Sequence, residues 1–259
     1  MELDQIVNLN DYPIGDPDFR DAAREKFEKH GILVMPGFAT QTAIAAIHAQ
    51  GCANRDRVFA STEKHTVYLS PTDPAFDIQH PRNRLVVSSK GCITDDLVPE
   101  DSALRTLYDA PLFRDFLCSV LGETALYEYA DTLSSINLHF AETGQELGWH
   151  FDNSSFSITL MVQPPESGGQ FEYVGGIRDA DTGDMAYEAV GAILDGHTKV
   201  EQLVADAGTL VFFRGRNSIH RVAPNKGKRT RMLAVLAYNN EQGISLSEEA
   251  RKTFYGRTG

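Results

Sequence analysis

Trp149-His150-Phe151-Asp152, answered much later in the chain by His220, is the stretch on which the reading of this sequence turns. His150 and Asp152 stand two residues apart, so on an extended strand both side chains leave the same face. His220 must then arrive from a different strand, brought close by the fold. Two imidazoles and a carboxylate on three faces of an octahedron leave three positions open, which is the ligand set of a facial iron(II) site. The chain has 8 histidines, and on these three residues alone a surface His-x-Asp with an unrelated distal histidine fits as well.

The neighbours break the tie. Ser155 to Gln163 alternates with β-branched residues and stops at Pro164-Pro165, a strand with a clear end. Gly168-Gly169-Gln170-Phe171-Glu172-Tyr173-Val174 reads as a turn opening a strand, and Ala207-Gly208-Thr209-Leu210-Val211-Phe212-Phe213 as a tight turn feeding a buried one. His220-Arg221-Val222 begins another strand. The turn Asn225-Lys226-Gly227-Lys228 then leads into Arg229-Thr230-Arg231-Met232-Leu233-Ala234-Val235-Leu236-Ala237-Tyr238. There Arg231, Leu233, Val235 and Ala237 share one face. An arginine at the mouth of an apolar strand is costly to bury alone and suits a bidentate carboxylate. For Arg229 and Arg231 the alternative is a solvated hairpin edge.

The order His-x-Asp, Gly-Gly-x-Phe, Gly-Thr-Leu-x-Phe-Phe, His-x-Val and then arginine on the next strand resembles the Fe(II)/2-oxoglutarate-dependent dioxygenases, over roughly Leu133 to Tyr238. That resemblance implies a mainly β fold with flanking helices, a double-stranded β-helix (jelly roll, cupin-like). It implies Fe(II) held by His150, Asp152 and His220, with 2-oxoglutarate and O2 as co-substrates. The distal carboxylate of 2-oxoglutarate would pair with Arg231, which stands at the family's spacing before the aromatic Tyr238, or with Arg229. Gly148-Trp149-His150-Phe151-Asp152-Asn153, Phe171-Glu172-Tyr173-Val174 and the tail Thr253-Phe254-Tyr255-Gly256-Arg257 look closer still to the branch that hydroxylates or chlorinates free amino acids such as lysine. Halogenating members replace the metal carboxylate by glycine. Asp152 is retained here, so the resemblance points to a hydroxylase acting on a small molecule, a free amino acid with a lysine-like or aliphatic side chain. The same chemistry on another metabolite or a peptide, a desaturation or cyclisation outcome, and a non-catalytic cupin-like metal-binding protein are the alternatives. A paired Arg229 and Arg231 argues against the last.

Candidate substrate contacts are less sharply marked. In Gln79-His80-Pro81-Arg82-Asn83-Arg84 the two arginines are solvated loop residues or a carboxylate site, and the resemblance favours Arg84 and Arg82 for a substrate carboxylate. His139, on the strand before the metal pair, either points into the site or is a core histidine bonded to backbone. Asn153 beside the metal strand and Tyr255 in the tail complete the set, the tail being read as a lid over the site. Glu128, Asp131, Glu142, Glu146 and Glu172 are candidate partners for a substrate ammonium. Trp149 and the pair Phe212 and Phe213 read as packing.

Composition narrows the field. A formal charge of −12 argues against nucleic acid, which needs a basic footprint. With 42% hydrophobic residues there is enough for a core, yet no run is long and apolar enough for a membrane helix. The start, Met1-Glu2-Leu3-Asp4, has no basic stretch followed by an apolar one, and the three cysteines, Cys52, Cys92 and Cys118, show no pairing pattern. Both features point to a reducing compartment, the cytoplasm.

A single domain over 1–259 is expected, with a helical N-terminal part to about 122, a jelly-roll core over about 123–240 and a tail over 241–259. Asp16-Pro17 starts a helix ended by Gly31, Ile32 to Met35 is a short strand, and Thr40 caps a second helix. Helices follow over Asp101 to Tyr108 and Pro111 to Leu121, and a helical insert over Ala186 to Leu194 sits between the metal pair and His220.

Overall fold

The computed structural model describes all residues, 1–259. In chain order its elements are α1 (Leu3–Ile6), α2 (Pro17–His30), β1 (Ile32–Met35), α3 (Gln41–Ala53), β2 (Phe59–Thr66), β3 (Leu85–Ile93), α4 (Ala103–Asp109) and α5 (Pro111–Leu121). Then come β4 (Ile136–Ala141), β5 (Leu147–His150), β6 (Ser157–Gln163), β7 (Phe171–Val174), α6 (Tyr187–Leu194), β8 (Glu201–Leu203), β9 (Leu210–Phe213), β10 (Ile219–Val222), β11 (Arg231–Leu236) and α7 (Glu248–Tyr255).

The helices begin and end where their caps dictate. Asp16 accepts a hydrogen bond from the Phe19 amide and Pro17 opens α2, which Gly31 closes in the left-handed region at φ 67°. Thr40 caps α3 through the Ala43 amide, and Ser102 caps α4 through Arg105. The stretch before residue 122 is not purely helical, since β1, β2 and β3 all join the sheet.

Every strand pairing is antiparallel, and the strands run β1-β9-β6-β11-β4-β3-β5-β10-β7-β8, with β2 added to the free side of β3. This is the expected jelly roll: β9, β6, β11 and β4 form one wall, β5, β10, β7 and β8 the other, and β3 joins them. Side-chain alternation sorts residues between two environments. From β11, Met232, Ala234 and Leu236 enter the main core with Leu160 of β6, Phe212 of β9 and Leu138 of β4. There they meet α2, α3 and α5 through Phe27, Ile47 and Phe116. The residues in between face the barrel interior: Arg231, Leu233 and Val235 of β11, Thr159 and Met161 of β6, Val211 and Phe213 of β9, and His139 of β4. The helices therefore cover the outside of one wall and leave the inside free to hold polar groups. A smaller cluster of Tyr68, Trp149, Phe151, Val190, Ile193 and Ile219 backs the second wall. Trp149 packs there as expected, with the Arg221 guanidinium 4.8 Å above its ring. No helix is long and apolar enough to cross a membrane, and all three cysteines are free.

Candidate metal centre and active site

Strand register assembles the metal-binding set. In the antiparallel pair β5 and β10, His150 stands directly opposite His220, with a register shift just past His220. Bulges of this kind re-aim side chains beside active sites. Asp152, two residues beyond His150, turns back so that its Oδ1 lies 3.7 Å from His150 Nε2 and 3.4 Å from His220 Nε2. One ligand atom from each of the three falls within 4.8 Å of the others, and no other group of His, Cys, Asp and Glu side chains in the protein does this.

The outer nitrogens have partners that sequence alone could not supply. His150 Nδ1 donates to the Gly148 carbonyl at 2.7 Å and His220 Nδ1 to the Ser218 carbonyl at 3.0 Å. Each bond holds the tautomer that leaves Nε2 as a lone-pair donor to a cation. Burial, and then the neighbouring His220, push the His150 pKa down to about 3, so this ring stays a neutral ligand in weak acid. Burial would raise the Asp152 carboxyl, but His220, by charge and hydrogen bond, and His150 outweigh it and hold the group below the usual carboxylate range. Phe171 and Phe213 flank His220, with ring centroids 5.5 and 4.9 Å away. Phe213, expected as plain core, thus packs on a ligand from inside the barrel. His65 bonds Ser88 Oγ at 2.7 Å and stands 6.2 Å from the His150 ring.

Gly215 is a site residue that the sequence reading missed. Its carbonyl accepts from the Asp152 amide at 3.1 Å. A Cβ on Gly215 would lie 1.9 Å from Asp152 Oδ2, so the carboxylate occupies the space of the missing side chain. Gly215→Ala is therefore expected to swing the carboxylate off the two imidazoles and weaken metal affinity by about 10- to 100-fold, the usual cost of disturbing a ligand's support. Equilibrium Fe(II) titration checks this, and unchanged affinity would show that Asp152 is not seated by this contact.

The three ligands open onto a cavity of about 450 Å³ inside the barrel. Its walls are largely apolar (Leu147, Met161, Val211, Val222, Leu233, Val235), with Arg231, His139 and Lys90 as basic groups and Glu166 at the 164–170 turn. Arg231 is buried, its Nε has no hydrogen-bond partner, and burial pushes its pKa down to about 10. An unpartnered guanidinium costs the fold stability, and its presence here calls for an anion. Arg229 is turned away: its Nε and Nη2 donate to the carbonyls of Pro164 and Pro165 at 2.9 and 3.2 Å. His139 faces the cavity, where its Nε2 lies 3.0 Å from Lys90 Nζ.

The remaining substrate candidates lie elsewhere. Arg84 pairs with Asp195 at 2.6 Å at the end of α6, and Arg82 sits with its guanidinium 5.9 Å from the Tyr68 ring on the far side of the metal strand. Asn153 is exposed, offering only its carbonyl to Arg216 at 3.3 Å. Tyr255 is buried with Cys92 and Leu133, its hydroxyl donating to Asn137 Oδ1 at 2.9 Å, and Arg257 binds Asp96. The tail is thus helix α7, docked on the barrel flank, and it contributes nothing to the cavity lining. Of the acidic candidates, Glu172 is held by Arg221 and Gln202, Asp131 by Ser134 and two backbone amides, and Glu142 by Arg55 and Thr230. None of the five lines the cavity.

Residues 16–255 match the sequence profile of the family described as HalD, Halogenase D. The chain belongs to that family. No curated protein sequence matches it. Among solved structures it is similar to the epimerase SnoN in complex with Fe3+, alpha ketoglutarate and nogalamycin RO, with a TM-score of 0.60, 15% identity and coverage of 86% of this chain and 84% of that one. An oxidoreductase of the 2OG-Fe(II) oxygenase family from Burkholderia pseudomallei aligns with a TM-score of 0.54 and 12% identity, over 87% of this chain and 93% of its own. A prolyl-4-hydroxylase from Pseudomonas putida gives 0.52 and 13%, over 83% and 96%. At these identities the likeness is one of fold, shared with 2-oxoglutarate-dependent iron oxygenases. The donor set in this family member fits iron(II): two imidazoles and one carboxylate on one side, facing the cavity. The unpartnered guanidinium of Arg231 in the same cavity fits a co-substrate with a free carboxylate, as 2-oxoglutarate has.

Proposed function

We propose that this protein is an Fe(II)- and 2-oxoglutarate-dependent oxygenase that hydroxylates an unactivated C–H bond of a small molecule, a free amino acid with an aliphatic or lysine-like side chain. The observation that carries the reading is the carboxylate of Asp152 beside both imidazoles, at 3.7 and 3.4 Å. Iron with the oxo acid and O2 supplies the oxidising power, and the protein supplies placement. His150, Asp152 and His220 hold the metal through their Nε2 and Oδ1 atoms. Arg231 neutralises the distal carboxylate of the co-substrate. The apolar wall of Leu147, Met161, Val211, Leu233 and Val235 excludes water and offers a surface for an aliphatic chain. None of the other candidate ammonium partners lines the cavity, so Glu166, which accepts from the Lys228 amide at 3.0 Å, is the carboxylate apart from Asp152 placed to meet a lysine-like substrate. Free thiols suit a cytoplasmic enzyme. Release of succinate from 2-oxoglutarate, followed across the 20 amino acids with Fe(II) present, tests the substrate class. Turnover with none of them would move the reading to another small metabolite.

The family's name favours a second outcome, halogenation. Asp152 argues against it. With the carboxylate of Asp152 in place, His150, Asp152 and His220 would hold the iron from three sides and the oxo acid would take up two more positions, so a halide would have to compete with O2 for a seat. The expected product is monohydroxylated even in high chloride or bromide, as read by mass spectrometry. A halogenated product from the unaltered chain would show that Asp152 does not ligate iron.

A further inference from the structure

Lys90, on β3, is a second, half-buried cation lining the cavity. Its Nζ bonds His139 Nε2 at 3.0 Å. A lysine ammonium has only donors, so His139 Nε2 accepts and the imidazole is neutral with its proton on Nδ1. Burial, then Lys90, then Arg231 drive the His139 pKa well down, which agrees with a neutral ring. Burial lowers the Lys90 ammonium as well.

The sheet register sets Lys90 and Arg231 at the same level. Cys92 of β3 and Leu233 of β11 both stand opposite His139 of β4. Two residues along, Arg231 stands opposite Ala141, and Lys90, two residues before Cys92, occupies the matching position on the other side of β4. Two long cationic side chains thus flank one small residue, Ala141, and both line the same cavity. Neither has a carboxylate at ion-pair distance. The buried or half-buried Asp95 and Glu172 are held by Arg105 and Arg221, and Asp152 by the two histidines. Two uncompensated cations converging over a single alanine are unfavourable for folding, and a bound carboxylate with four lone-pair sites satisfies both.

Building on the co-substrate reading above, we propose that Lys90, positioned by His139, is a second anchor for the distal carboxylate of 2-oxoglutarate, which it and Arg231 grip from opposite sides. Lys90 thereby makes the site selective for a 2-oxo acid that ends in a carboxylate. His139 acts as a positioning residue, accepting one ammonium proton and aiming the other two at the ligand.

Anaerobic calorimetry with Fe(II) measures this apart from turnover. Lys90→Met should weaken 2-oxoglutarate binding by about 10- to 100-fold, the range for a lost charge-assisted hydrogen bond. Lys90→Arg should restore most of it. The penalty should vanish with 2-oxopentanoate, which keeps the oxo acid but lacks the distal carboxylate. The ligand-free Lys90→Met protein should melt no lower than the unaltered chain, because a cation without a carboxylate partner has been removed from the cavity, whereas loss of a merely structural residue would lower the melting temperature. If Lys90→Met fails to fold, Lys90→Gln is read the same way. An unchanged affinity, or an equal penalty with 2-oxopentanoate, overturns the role of Lys90 while leaving Arg231 and the co-substrate reading intact. A penalty confined to the amino-acid substrate also overturns it. An unaltered protein that binds no 2-oxoglutarate with Fe(II) present would overturn the co-substrate reading itself.

Discussion

Replacing His220 by alanine is expected to abolish Fe(II)-dependent turnover of 2-oxoglutarate while leaving the barrel folded. His220 is buried, faces His150 across the strand pair, and is the one member of the set that comes from a separate strand. Without it the metal is left with two adjacent donors from one short segment, and a site of one imidazole and one carboxylate is too weak to hold iron against water. The fold does not depend on the ion. The main core, from Phe27 and Phe116 through Leu160, Phe212 and Ala234, is apolar and lies on the other side of the sheet. Circular dichroism should be unchanged while metal titration shows no tight site. His150→Ala should behave the same way. Full activity in His220→Ala would overturn the ligand assignment.

Arg231→Ala carries the second large effect. The guanidinium is buried, unpartnered and aimed into the cavity, so its removal leaves the distal carboxylate of the co-substrate facing an apolar wall. Truncating one side of such a pair costs roughly 2–5 kcal/mol, which corresponds to a rise in the Michaelis constant for 2-oxoglutarate of about 30-fold to several thousand-fold. Arg229→Ala should do far less, since that side chain serves only the carbonyls of Pro164 and Pro165 at the surface. Steady-state kinetics on the two variants separates them. A larger effect from Arg229 would mean that the strand is set against the cavity two residues out of register.

The preference for Arg231 over Arg229 came from its spacing before Tyr238, and strand alternation showed which residues share its face. Arg231 shares its face with Leu233 and Val235, and all three do line the cavity. The even residues Met232, Ala234 and Leu236 lie in the main core. Boundary residues placed both ends of α2, the start of α3 and both ends of α5, because caps, a first-turn proline and a closing glycine act on near neighbours. Several elements escaped, namely α1, β2, β3, β8 and α7. Strand β2, Phe-Ala-Ser-Thr-Glu-Lys-His-Thr, is a polar edge strand whose single neighbour is β3, so it carries no buried face to be read as a pattern. Helix α7 had a readable signal, since Ser247 caps it and Glu248 and Glu249 fill its first turn. Reading that stretch as a tail set Tyr255 over the site, whereas the helix docks on the flank through Asn137 and Asp96.

The sequence by itself determined the residue types and the spacing of period two that put His150 and Asp152 into one ligand set, the arginine at the start of the last strand, and the order of most helices and strands around them. These are properties of neighbours along the chain, written in periodicity and caps. Tertiary structure decided which distant groups meet: His220 opposite His150, the backbone carbonyls that orient both rings, Gly215 vacating space for a carboxylate, and Lys90 level with Arg231 across β4. It also took Arg82, Arg84, Asn153 and Tyr255 away from the cavity. A lysine in an alternating strand looks the same in sequence whether its face meets solvent or the inside of a barrel. The register between strands far apart in the chain settles that, and register is set by the packing of the whole sheet.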